Sequence, residues 1–160
     1  MAHDCSSWDA DDCYDDAPAS DYHRGRMAAR TALGMVGLPY SWGGGGTGGP
    51  GYGIGRGARI WGFDCSGLAQ YAWASVGVTI ARTSQAQWRE GARVPRNAVR
   101  PGDLVFYDSN RRRPGPEHVA VAIGRKRMVN APYTGGRVRV EPLDRRTYLG
   151  AVRPGLNQDR

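Results

Sequence analysis

The chain has 160 residues, 40% of them apolar, enough for one folded domain with a single core and short unstructured ends. No stretch approaches the roughly 18 consecutive apolar residues that a helical membrane span requires, so none is expected. The net charge of +7 is uneven: the first 21 residues hold seven aspartates (Asp4, Asp9, Asp11, Asp12, Asp15, Asp16, Asp21) and no Lys or Arg, which leaves the remainder strongly basic. Such a body attracts polyanions, although an arginine-rich surface gives the same sum without any ligand. Nucleic acid is not an expected partner, because no recognition motif accompanies the charge.

In chain order, residues 1–20 read as a flexible acidic leader with too few apolar residues to build a core. They are acidic and polar rather than basic then apolar, so they do not read as a secretory signal. The chain is therefore expected to be a mature or excised piece, or to leave the cell by another route. Cys5 and Cys13 are close enough for a local disulfide in an oxidising compartment. With His3 and His23 they lack the C-x-x-C spacing of a zinc site, and no metal is expected.

Asp21 to Val36 reads as a helix, with Tyr22, Met27, Ala28, Leu33 and Val36 sharing an apolar face, Asp21 as N-cap and Gly37 at the end. Gly43 to Gly57 is a glycine-dominated loop. It lacks the Lys and Ser/Thr of a phosphate cradle and reads as a mobile surface loop beside a cleft. Cys65–Val76 and Thr83–Glu90 read as two further helices. Strands follow at Asp103–Tyr107, His118–Ile123, Arg127–Ala131, Arg137–Val140 and Ala151–Arg153. Helices first and then a meander of short strands describe an α+β domain with an antiparallel sheet, here bounded to residues 21–155, with 156–160 as a tail.

The candidate chemistry begins at Gly62-Phe63-Asp64-Cys65-Ser66-Gly67-Leu68, where a cysteine stands at the entry of a helix. Unpaired amides and the helix dipole there predict a depressed thiol pKa and offer donors to an oxyanion. A buried, inert cysteine is the competing reading. His118 opens an apolar strand, a rigid place from which to aim an imidazole. The other two histidines, His3 and His23, lie in or beside the acidic leader. Cys65 thus has one candidate base in the folded body. Asn130 lies twelve residues on, and a hairpin would bring it to the same face as His118, where its amide oxygen can fix the ring. Otherwise Asn130 is a turn residue before Ala131-Pro132.

Five segments in order carry a resemblance: Pro39-Tyr40-Ser41-Trp42-Gly43-Gly44, Phe63-Asp64-Cys65-Ser66-Gly67-Leu68, Arg82-Thr83-Ser84-Gln85-Ala86-Gln87, Pro101-Gly102-Asp103-Leu104-Val105-Phe106 and His118-Val119-Ala120-Val121. From about Met27 to Pro154 the chain resembles the NlpC/p60 family. The resemblance implies a papain-like core, the cysteine helix packed on an antiparallel sheet of about five to six strands. It implies a cysteine peptidase that cuts peptidoglycan stem peptides, commonly between D-isoglutamate and diaminopimelate, with no cofactor. Cys65, His118 and Asn130 take the catalytic positions. Asn130 is a permitted third residue but carries no negative charge for an imidazolium. Tyr40 matches a residue that binds substrate or steadies the oxyanion; Asp64 and Ser84 match residues lining the substrate groove, and Ser66 and Arg82 join them as substrate-binding candidates.

The resemblance further implies a secreted or wall-associated protein; a monomer is expected, and the basic body suits wall polyanions as additional ligands. A role as a toxin would add an inhibitor or immunity protein. Two other readings stay open: a wall-polymer-binding or regulatory module with weak activity, and a papain-like acyltransferase.

Overall fold

A computed structural model describes residues 21–155, so the acidic leader with His3, Cys5 and Cys13, and the tail 156–160, lie outside the described residues. The elements run α1 (Asp21–Leu33), β1 (Gly51–Tyr52), β2 (Trp61–Gly62), α2 (Cys65–Ala74), α3 (Ser84–Trp88), β3 (Ala92–Val94), β4 (Leu104–Tyr107), β5 (His118–Ala122), β6 (Arg127–Asn130), β7 (Arg139–Pro142) and β8 (Tyr148–Arg153). Six strands form one antiparallel sheet in the order β3-β8-β4-β5-β6-β7. This is the α+β arrangement expected from the sequence. Among the described residues, no helix is long and apolar enough to cross a membrane.

Strand alternation divides the core. Leu104, Phe106, Val119, Val121 and Val129 join Leu68, Ala69, Ala72 and Trp73 of α2 on one face of the sheet. Val105, Tyr107, Ala120, Ala122 and Met128 are buried on the other, with Val94, Val99 and Leu143. The alanines of β5 are therefore not a solvent face; both sides of the central strands are covered.

The expectation for α1 changes. The buried face of α1 is Gly25, Ala28, Ala29 and Ala32, while Met27, Leu33 and Val36 are exposed, and Asp21 lies in the first turn rather than before it. The reason is proximity. A Cβ on Gly25 would meet the Pro101 carbonyl oxygen at 2.5 Å, so α1 presses its backbone onto the turn leading into β4, where bulky side chains do not fit. Trp73 Nε1 ties α2 to the same turn, donating to the Gly102 carbonyl at 3.0 Å. The glycine-rich segment, in turn, is folded on itself: β1 pairs with β2, Ile54 N donates to Trp42 O, and Ser41 Oγ donates to Ile60 O at 2.7 Å. Strand β3 had no pattern of its own and forms by pairing with β8, far along the chain.

Gly25 yields the first prediction. Alanine is favoured over glycine in a helix by about 1 kcal/mol. At position 25 the contact with Pro101 overrides that gain. Gly25→Ala is expected to destabilise the fold by about 1–3 kcal/mol in urea unfolding, the usual cost of overpacking. A stabilised variant would show that α1 can lift off the turn freely.

Candidate active site

The first turn of α2 is clamped from three sides. Asp64 is the N-cap, in extended conformation, and its Oδ1 accepts from Gly67 N at 2.7 Å. The same carboxylate lies 2.9 Å from Arg82 Nη1, which also donates to Ser66 Oγ at 2.9 Å, while Arg82 Nη2 reaches Gly44 O. Asp64 N donates to Gly44 O as well. A Cβ on Gly67 would meet Gly44 O at 2.6 Å, so only glycine lets the helix approach this closely. The start of α2, and with it Cys65, is fixed against the Ser41–Gly44 turn.

His118 opens β5 opposite Tyr107 of β4. Ser84 Oγ donates to Pro116 O at 2.8 Å, anchoring the segment that leads into it. The β5–β6 register, Val121 opposite Val129, gives His118 and Asn130 the same parity and so the same face. Asn130 is fully buried, its Oδ1 3.0 Å from His118 Nε2. Its Nδ2 donates to Glu141 Oε2 at 2.7 Å and to Arg139 O at 3.3 Å. Glu141 Oε1 is 3.2 Å from Arg139 Nε, and Glu141 Oε2 is 2.8 Å from Arg145 Nη2.

Cys65 and His118 line one cleft of about 440 Å³, together with Tyr40, Trp42, Arg56, Glu117, Asn130, Tyr133, Arg139 and Arg145. Tyr40 is thus the substrate-binding candidate that faces the cleft. Asp64, Ser66, Arg82 and Ser84 are placed in the clamp and anchor described above, their side chains engaged with one another or with backbone. Sequence reasoning missed the cleft's three arginines and Glu141. Only the β6–β7 pairing brings Arg139 and Glu141 beside Asn130, and no local spacing announces that.

Electrostatically, the helix-terminus expectation is reversed. Cys65 is partly exposed at the cleft, yet burial is the largest influence on its thiol. Burial, followed by the Asp64 carboxylate, pushes the thiol up to about 11. Backbone amides of Val119 and Ser66 point at the sulfur and pull the other way, but they lose. Burial likewise lowers His118 below the ordinary imidazole value, outweighing the upward pull of its bond to Asn130. Tyr40 is pushed up to about 12, by burial first and by Cys65 and Asp64 next. At neutral pH the cleft holds a thiol, a neutral imidazole and a phenol. Among the described residues, no group of His, Cys, Asp or Glu is arranged to hold a metal ion.

Over 114 residues the chain is 43% identical to the peptidoglycan endopeptidase RipA of Mycolicibacterium smegmatis, a match covering 71% of this chain and 22% of that protein. The solved structure of the peptidoglycan hydrolase RipB from Mycobacterium tuberculosis is 38% identical with a TM-score of 0.76, over 86% of this chain and 67% of that one. RipD from Mycobacterium tuberculosis, described as a non-catalytic NlpC/p60 domain protein adapted to peptidoglycan binding, is 34% identical with a TM-score of 0.72, over 81% and 96%. The chain spans less than half the length of the curated mycobacterial relatives it matches. Residues 37–153 match the model of the NlpC/P60 family, and the chain belongs to that family.

Proposed function

We propose that this chain is a cysteine peptidase acting outside the membrane on bacterial wall, hydrolysing peptide bonds in peptidoglycan stems. The single observation that carries the proposal is that Cys65 and His118 share one cleft while Nε2 of His118 is committed to Asn130. RipA and RipB bear names for the same activity. RipD shows that the fold also serves non-catalytic binding, and the presence of thiol, imidazole and amide together favours hydrolysis here. Arg56, Arg139 and Arg145 at the cleft suit the carboxylates of a stem peptide, and the D-isoglutamyl–diaminopimelate bond is the proposed target.

The mechanism follows from the protonation states. His118 Nε2 donates to Asn130 Oδ1, so the neutral ring has Nδ1 free to accept a proton. As the Cys65 sulfur attacks the carbonyl carbon, its proton passes to Nδ1. Tyr40, a phenol at working pH, and the amides at the start of α2 are the donors available to the oxyanion. The intermediate collapses when Nδ1–H protonates the departing amine, leaving the acyl group on sulfur. Water, deprotonated by His118, then attacks the thioester and releases the free acid and the thiol.

Three measurements test this reading. Cys65→Ala is expected to abolish product from purified muropeptides while leaving the circular dichroism spectrum unchanged; undiminished cleavage would exclude the mechanism. Mass analysis of the products should show a free acid, whereas an amide or ester of an added acceptor would identify an acyltransferase. Tyr40→Phe removes one oxyanion donor and should lower kcat about a hundredfold, with unchanged kcat assigning Tyr40 to the cleft wall alone. The thiol state predicts pH behaviour. Iodoacetamide capture of Cys65 should accelerate from neutral pH toward about 11. A rate already flat at pH 7 would mean a resting thiolate. Because His118 titrates low, the acid limb of kcat/KM should fall below the ordinary imidazole value of 6.5.

A further inference from the structure

The third position beside the imidazole is an amide, which by itself leaves two questions open. An asparagine can present either its oxygen or its nitrogen to the ring, and the two choices select opposite tautomers. It also brings no charge to an imidazolium. Both questions are answered by the strand beyond it.

Asn130 Nδ2 lies between two groups that only accept: Glu141 Oε2 at 2.7 Å and Arg139 O at 3.3 Å. Turning the amide over would set its oxygen against a carboxylate and a carbonyl with no proton between them. The shorter, charge-assisted bond to Glu141 dominates this choice. Oδ1 therefore faces His118, and an amide oxygen can only accept, so Nε2 carries the hydrogen and Nδ1 is bare. The carboxylate is itself held on both oxygens, by Arg139 Nε and Arg145 Nη2.

We propose that Glu141 is a positioning residue of this site: its carboxylate sets the orientation of the Asn130 amide, hence the tautomer of His118, and places a negative charge two hydrogen bonds from the ring. The inference rests on the reading of Cys65 and His118 as nucleophile and base. The charged groups acting on His118 are Arg145, Glu141 and Glu117, with the Tyr107 ring beside it; those facing Glu141 are Arg139 and Arg145. Removing Glu141 leaves Arg145 to oppose an imidazolium with Glu117 alone against it.

The test compares Glu141→Ala with Glu141→Gln. Glutamine offers an oxygen to Asn130 but no charge, which separates orientation from electrostatics. Nitrogen-15 spectra of the ring in the full chain, with His118 assigned by comparison with His118→Ala, should show the Nε2–H tautomer in the wild type and in Glu141→Gln. Glu141→Ala should show a mixture of tautomers. On muropeptides, kcat should fall at least about tenfold in Glu141→Ala. In Glu141→Gln it should fall less, with the acid limb of kcat/KM moved to lower pH. A wild-type tautomer, kcat and pH profile in Glu141→Ala would overturn the assignment. Cys65→Ala and His118→Ala run alongside distinguish the two levels: if they retain activity, the nucleophile–base reading fails, while the ring spectra still decide the role of Glu141.

Discussion

The cleft depends on how closely the first turn of α2 is held against the backbone at Gly44. That contact exists because position 67 has no side chain and because Asp64, Arg82 and Ser66 bind one another around it. It places a sulfur at a helix start directly against the amide of Val119, one residue past His118. Helix position and strand position are then not independent. Any shift of α2 moves the sulfur relative to the imidazole, and the anchor from Ser84 to Pro116 limits the compensating movement of the strand. Asp64, Ser66, Arg82 and Ser84, the further substrate-binding candidates of the sequence, form the frame around Cys65 and His118.

The same frame explains the resting electrostatics. A helix terminus does favour an anion, and amides do point at the sulfur. But that environment also removes water and sets a carboxylate next door, and these two effects outweigh the amides. The outcome is a pair whose members each hold the neutral form. In the proposed mechanism, proton transfer then accompanies attack on the carbonyl instead of preceding it, so the orientation of the imidazole is decisive and an unprotonated Nδ1 has to be waiting.

How much of this was legible in the residues depends on the distance over which each feature is determined. Cys65, His118 and Asn130 stand in local patterns (a helix entry, a strand opening and the next strand along), and a simple hairpin register brings the last two together. The order of α1 to α3 and of β4 to β8 was equally readable, since each has its own punctuation, whereas β1, β2 and β3 carry no pattern of their own and form by pairing. The buried face of α1 was not, because its small residues answer to a turn some 75 positions later, an approximate separation that no periodicity encodes. The state of the thiol was hidden for a similar reason: the local dipole is visible in sequence, whereas burial belongs to the assembled fold. Glu141 and Arg145 were missed because their connection to Asn130 passes through β6–β7 pairing.

Among the described residues, strand β7 borders the sheet, with β6 on one side and no strand on the other. Borders of this kind invite a second chain to continue the ladder, and charged side chains or proline discourage it. Here the border carries Arg139, Glu141 and Pro142. By that rule the carboxylate proposed to orient the amide also disfavours continuation of the ladder by a neighbouring molecule, and a replacement at that position would act on both.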